Sequence, residues 1–218
     1  VKTREEQSKL LTKARNASYL LQLTPFIRMI ALNGSVARGE DHEGSDIDFF
    51  IVAKPGRIWT VRAFSVLIMA LVGLKRYEFK ISGRVCLNLY QTDDHLQLST
   101  KTKELARSHA YTVPFWQRKG LFKKFIQQNE WIHQFGKSFM NADYQTSKGD
   151  KVVSVLIAPW RFLSEFLFDL ILNDWGEKAL KKYQTRRILK DERTMKAQKG
   201  EIYLSDVELR FHPSKPKC

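Results

Sequence analysis

Cysteine is scarce in this chain. Its 218 residues include two, Cys86 and Cys218, too few for a disulfide framework or a four-cysteine zinc site. Cys86 lies in an apolar run and Cys218 is the last residue, a usage that fits a reducing, cytoplasmic compartment. Glycine (11) and proline (6) are also sparse, which excludes collagen-like and low-complexity disordered chains. Long apolar runs are missing. Residues 63–74 form the longest candidate, shorter than the roughly 18 residues that suggest a membrane-crossing helix. Residues 152–172 are interrupted by Arg161, Glu165 and Asp169, so no membrane partner is expected. The amino terminus, Val1-Lys2-Thr3-Arg4-Glu5-Glu6, is charged with no apolar stretch behind it, so no signal peptide is expected. The missing initiator Met is the expectation for a processed chain or a fragment. Several motifs are lacking too. There is no G-x-x-x-x-G-K-[ST], no G-x-G-x-x-G and no G-x-S-x-G, which removes P-loop, Rossmann and serine-hydrolase readings. His42, His95, His109, His133 and His212 show no metal-ligand spacing.

What is present is an ordinary globular composition, 43% hydrophobic and 28% charged, long enough to bury a core. The charge is lopsided: 37 Lys and Arg against 23 Asp and Glu, a net of +14. Residues 101–218 hold 23 basic against 13 acidic residues, and residues 1–100 the other 14 against 10. Such an excess suits a polyanionic partner, nucleic acid or nucleotide phosphate, or a solvated basic surface.

Periodicity sets out the elements. Leu10, Leu11, Ala14, Ala17, Leu20 and Leu21 recur at helical spacing across residues 2–23, and Pro25 ends that helix. Residues 26–32 read as a buried strand, Asn33-Gly34-Ser35 as a turn, and residues 36–38 as one helical turn closed by Gly39. Residues 46–53 read as a β-branched and aromatic strand, 57–74 as an apolar helix and 84–91 as a third strand. The first hundred residues are thus an α/β unit. Composition changes near residue 100, and the expected division is an α/β domain over 1–100 and a helical, basic region over 101–218. In the second part, Leu105, Ala106, His109 and Ala110 form one apolar face, Phe122, Phe125, Ile126, Trp131 and Phe135 another, and residues 152–172 the longest. Residues 147–150 read as a linker and 202–204 as a short strand. The fold class is α/β (α+β), a mixed sheet flanked by helices, followed by a mainly helical carboxy-terminal region.

One stretch carries chemistry: Asn33-Gly34-Ser35, ten residues, then Asp46-Ile47-Asp48. A glycine at a strand-to-helix turn lets backbone approach a phosphate, and the turn presents free N–H groups beside the Ser35 hydroxyl. Asp46 and Asp48, two apart on a strand, share one face about 6–7 Å apart, with Ile47 and Phe49 turned into the core. Paired carboxylates suit divalent cations, and two cations about 3.5–4 Å apart hold the attacking and leaving oxygens of a phosphoryl transfer. Oxygen ligands and a triphosphate suit Mg²⁺, with Mn²⁺ as the alternative.

Gly-Ser followed about ten residues later by Asp-x-Asp, after one strand and at the start of the next, resembles the DNA polymerase β-like nucleotidyltransferase superfamily. Residues 34–48 are particularly similar to its minimal nucleotidyltransferase members, and the resemblance covers residues 26–91. Lys54-Pro55-Gly56-Arg57-Ile58-Trp59, Cys86-Leu87-Asn88-Leu89 and Phe211-His212-Pro213 are similar to a bacterial group that carries this domain behind additional sequence. The resemblance implies a nucleoside triphosphate donor, ATP among the candidates, with divalent metal at Asp46 and Asp48. Gly34 and Ser35 match the phosphate-contacting pair, and Ser45 adjoins the Asp pair as a further nucleotide contact. The family generally places a third carboxylate on the neighbouring strand; here that position reads as Asn88, which brings no charge and cannot act as a base. Asp93 or Asp94 at the end of the same strand are candidate substitutes.

Some residues support two readings. Arg38 either contacts triphosphate or pairs with Glu40 or Asp41, and Lys54 and Arg57 either reach substrate or are solvated. Arg186, Arg187, Lys190, Arg193, Lys196 and Lys199 form either a nucleic-acid stripe or a solvated face. The five tryptophans suit core packing, with base stacking the second role. Two functions follow. One is a metal-dependent transfer of a nucleoside monophosphate from an NTP to an acceptor hydroxyl on RNA, protein or a small molecule. The other is a catalytically degenerate fold that binds nucleotide or nucleic acid.

Overall fold

The computed structural model describes residues 4–77, 80–118, 120–135, 148–171, 173–195 and 202–211. Helix α1 (Arg4–Leu21) precedes strand β1 (Ile27–Asn33), the short helix α2 (Gly34–Arg38) and strand β2 (Ile47–Ala53). Helix α3 (Ile58–Leu71), strand β3 (Val85–Thr92), helix α4 (Lys103–His109) and strand β4 (Val113–Gln117) follow. Then come α5 (Leu121–Gln128), a 3₁₀ helix (Glu130–Phe135), α6 (Lys148–Ile171), α7 (Asn173–Leu189), α8 (Glu192–Met195), β5 (Ile202–Leu204) and β6 (Glu208–Phe211).

The strands form one six-stranded sheet in the order β4-β1-β2-β3-β6-β5. Among the described strands, only β2 and β3 pair in parallel, and α3 is the crossover that a parallel pair needs. Both faces are covered, which explains the near-continuous apolar runs of the central strands. On one face, Ile27, Leu32, Ile47, Phe49 and Ile51 pack with Ala14, Ala17 and Leu21 of α1 and Ile58, Trp59 and Met69 of α3. On the other, Met29, Ala31, Phe50, Val52 and Leu89 pack with Leu105 and Ala106 of α4, Phe122 and Phe125 of α5, and Ile132. Burying strands this apolar between two helical layers is the main stabilising term.

The expected mixed sheet with flanking helices is what forms, and β1, β2 and β3 fall within a residue or two of their expected spans. Among the described residues, 101–195 are mainly helical as expected, with strand β4 added at the outer edge of β1. Its Pro114 suits an edge strand, where the missing N–H breaks no ladder bond on the free side. The tail holds a second strand, β6, paired antiparallel with β3 through Leu89 and Arg210. The sheet therefore continues past residue 100. Lys148–Asp150 belong to α6 instead of a linker, and Ser147 lies outside the described residues. The apolar helix α3 is buried along Ile58, Trp59, Thr60, Val61, Ser65 and Met69, while Leu67 and Leu71 near its end are exposed.

Two attachments fix the carboxy-terminal helices. The Glu177 carboxylate of α7 accepts from the backbone N–H groups of Trp59 (2.7 Å) and Thr60 (3.1 Å) and from the Thr60 hydroxyl (2.5 Å). It caps α3 in place of a local side chain, as the N-cap residue Arg57 supplies no side-chain bond. Burial pushes Glu177 above the ordinary carboxylate range, although those donors pull it down. Helix α6 is held by ions. Arg28 donates twice to Glu165 (2.7 and 3.1 Å), Arg57 twice to Asp169 (2.9 and 2.8 Å), and Lys54 to Asp169 (2.8 Å). Arg161 donates to Gln22 and stacks over the Trp116 ring. Burial raises the Asp169 pKa, but Lys54 and Arg57 outweigh it and hold the carboxyl below its ordinary value.

Candidate active site

The site forms where β1 ends, β2 begins and β3 runs alongside. Asn33 closes β1 opposite Asp48. Its side-chain amide donates to His109 Nδ1 (2.9 Å) and its Oδ1 accepts from the Thr112 hydroxyl (2.6 Å), which anchors the strand end to α4. The chain then turns at Gly34 with φ +74°, a conformation in which L side chains are strained. Space excludes a side chain as well, because a Cβ here would collide with the Asp48 carboxylate. The glycine is thus what allows the α2 turn to rest directly on Asp48.

Asp46 immediately precedes β2 and Asp48 lies within it. Their carboxylate oxygens and the Cys86 sulfur all fall within 4.8 Å of one another, and all three residues are half-buried. Cys86 enters through register, since it pairs with Asp48 across the parallel β2–β3 ladder. A register shift follows between Phe49 and Phe50: Leu87 pairs with Phe49 and Leu89 with Phe50, which leaves Asn88 as an extra residue. This bulge brings Asn88 to the carboxylates, and its Nδ2 donates to Asp48 Oδ1 at 2.7 Å. Arg76 comes from the loop after α3, held by its backbone N–H bond to the Val85 carbonyl. Its Nη1 lies 2.5 Å from Asp46 Oδ2 and 3.6 Å from Cys86 Sγ. Burial opposes the guanidinium charge, but Asp46, Cys86 and Asp48 together outweigh it and raise the Arg76 pKa. Burial likewise pushes the Cys86 thiol up, and Asp48 and Asp46 push it further, so Cys86 stays protonated at neutral pH.

The donor set fits a hard divalent cation. Two carboxylates supply oxygen and negative charge, as Mg²⁺ or Mn²⁺ requires, whereas a protonated thiol is a poor ligand for either. Asn88 spends an amide N–H on Asp48, which orients that carboxylate.

Of the site residues expected from sequence, Gly34, Asp46, Asp48 and Asn88 converge. Ser35 lies at the rim, its hydroxyl 3.4 Å from that of Ser45. The Ser45 side chain is buried and its oxygen accepts from the His42 N–H (2.8 Å), so it holds the loop ahead of Asp46. Arg38 pairs with Glu40 (2.8 Å). Asp93 and Asp94 do not substitute for a third carboxylate. The register places Thr92 beside Ala53, so Asp93 lies roughly 20 Å along the strands from Asp48, next to Arg28. Sequence reading missed Arg76 and Cys86. Period-2 alternation from Asn88 already places Cys86 on its face, but Arg76 reaches Asp46 only through tertiary closure.

The basic run is partly described. Arg186, Arg187 and Lys190 are exposed at the end of α7, with Lys178 and Lys182 on the same helix. The Arg193 side chain, Lys196 and Lys199 lie outside the described residues. Trp59 and Trp116 are buried, while Trp160 and Trp175 are exposed.

A family model described as "Nucleotidyltransferase domain" matches residues 15–128, just over half of the chain and all of the site. No curated protein and no solved structure matches the chain.

Proposed function

The chain belongs to the nucleotidyltransferase domain family, and from that premise we propose that it is a divalent-metal-dependent enzyme transferring a nucleoside monophosphate from an NTP to an acceptor hydroxyl. The observation that carries this reading is the meeting of the Asp46 and Asp48 carboxylates under a turn that only glycine can make. Asp46 and Asp48 hold the cation. When bound, it supplies charge neutralisation on the triphosphate and orients the in-line displacement. Gly34 and Ser35 present backbone N–H groups and a hydroxyl to the phosphates. Asn88 positions Asp48 by its 2.7 Å bond. The acceptor oxygen forms a bond to the α-phosphorus as the α–β bridging bond breaks, pyrophosphate leaves, and the hydroxyl proton passes to solvent. The exposed cations of α7 and the net charge of +14 favour RNA or another polyanion as acceptor.

One set of observations favours a second reading, a degenerate fold that binds nucleotide without transferring it. Asp46 is already neutralised by Arg76, and an amide stands where the family generally has a third carboxylate. One experiment separates the two. Purified chain is incubated with each α-labelled NTP, Mg²⁺ or Mn²⁺, and pools of RNA, protein and small-molecule acceptors, with the Asp46→Asn/Asp48→Asn variant as control. Label transfer that the control lacks establishes the enzyme. Metal-dependent nucleotide binding by calorimetry without transfer establishes the binding module, and the absence of both refutes the site.

A further inference from the structure

Helix α6 is inside out. Between residues 152 and 171 its only charged residues are Arg161, Glu165 and Asp169, and all three bond inward to the rest of the fold. Ten of its large apolar residues face outward instead, 41–77% exposed. The outward centre line is Val152, Leu156, Pro159, Leu163, Phe166 and Leu170, spaced 4-3-4-3-4, the a/d rhythm of a helix that packs along another helix. With flanking Phe162 and Ile171, the exposed apolar surface is on the order of 1,000 Å², above the roughly 300–600 Å² of the largest patch on a typical monomer. It also matches the roughly 800 Å² that each partner of a standard interface contributes.

We propose that this face pairs with the same face of a second copy of the chain, as two antiparallel α6 helices about a two-fold axis. The spacing is its own complement. Reversing the helix about residue 161 sets Val152 against Leu170 of the second copy, Leu156 against its Phe166, and Pro159 against its Leu163. Every seam position then meets a seam position, as an isologous interface requires. A face without charge also lets two copies of net +14 meet without like charges in contact. An anionic membrane surface fits less well, because such helices carry Lys and Arg along their polar face, whereas the charged residues of α6, Arg161, Glu165 and Asp169, are all turned into the fold. The ion pairs that hold α6 involve Arg28, Lys54 and Arg57, at the sheet end remote from Asp46, so pairing leaves both sites open.

Sedimentation of the wild-type chain and of Phe166→Glu and Leu156→Lys tests the proposal. The wild type is expected to be a dimer at tens of micromolar, and each variant to raise the dimer Kd about 100-fold by placing a charge in the seam. An equimolar mixture of the two variants is expected to regain the dimer, since one native layer reforms and the introduced Glu meets the introduced Lys. That recovery also shows that both variants fold. A monomeric wild type overturns the proposal. If that monomer co-sediments with phosphatidylserine vesicles and Phe166→Glu does not, the face docks on membrane instead. Variants that dimerise like wild type, or monomeric variants that fail to recover on mixing, overturn the seam or its antiparallel register.

Discussion

Arg76 occupies the position of a counter-ion at Asp46, and removing it is expected to tighten cation binding. Its Nη1 sits 2.5 Å from Asp46 Oδ2, with the arginine side chain 35% and the aspartate side chain 13% exposed. Unit charges about 4 Å apart attract by about 4 kcal/mol at an effective dielectric near 20. Partial exposure, salt and side-chain entropy reduce this to about 1–1.5 kcal/mol. A divalent cation taking Asp46 must displace that interaction. Arg76→Ala removes the competitor, so Mn²⁺ should bind about tenfold tighter. The assay is titration of Mn²⁺ without nucleotide, read by the electron spin resonance of the free ion and checked by calorimetry near physiological salt. Asp46→Asn should bind poorly with or without Arg76. Unchanged or weaker Mn²⁺ binding by folded Arg76→Ala would refute the reasoning, because the guanidinium would then not be competing for the carboxylate.

Asn88→Asp should place a third carboxylate against Asp48, lowering stability in chelator by about 1–2 kcal/mol through like-charge repulsion and recovering it in millimolar Mn²⁺; equal denaturation curves in both conditions would count against the site. Gly34→Ala should cost about 2 kcal/mol or more from left-handed strain and the clash with Asp48, seen as a lower urea midpoint, and it should abolish metal-dependent nucleotide binding. Glu177→Ala should cost about 1–3 kcal/mol by leaving the first N–H groups of α3 uncapped, with Glu177→Gln losing less. The folded Glu177 pKa is raised, so its contribution is fully present below the unfolded value of about 4.3 and declines as pH rises through the folded value. The stability gap between wild type and Glu177→Gln should therefore narrow from about pH 4 to pH 7, and a widening gap would reverse the sign.

The central fold was legible because its strands are buried on both faces. Residues 26–32 and 46–53 read as strands from their apolar, β-branched and aromatic content, and strands Ile27–Asn33 and Ile47–Ala53 agree with that local signal. Strand β4 was not legible, since five residues containing Pro114 offer too little period to oppose the helical pattern around them. Strand β6 hides for another reason. Glu208 and Arg210 are charged yet buried, paired with one another at 3.3 Å and bonded to Ser99 and Thr100. A polar alternation therefore concealed an interior strand. For α6, the period revealed a helix but not which side of it meets the fold. At the site, Gly34, Asp46 and Asp48 lie within fifteen residues and carried their own spacing. The bulge at Asn88 and the reach of Arg76 depend on how β3 and its preceding loop pack, which no local pattern encodes.

Lys54 and Arg57 follow directly on the aspartate strand, yet they bind the fold to α6. The two sides of that helix therefore answer to opposite solvent conditions. Ordinary salt screens the charge pairs on its inner side, whereas strongly hydrated anions such as sulfate strengthen apolar burial on its outer side. Ionic strength and salt identity thus act on α6 as separate controls, one on its grip on its own chain and one on its affinity for what lies outside. Sodium chloride and sodium sulfate at matched ionic strength should accordingly give different behaviour from the same helix.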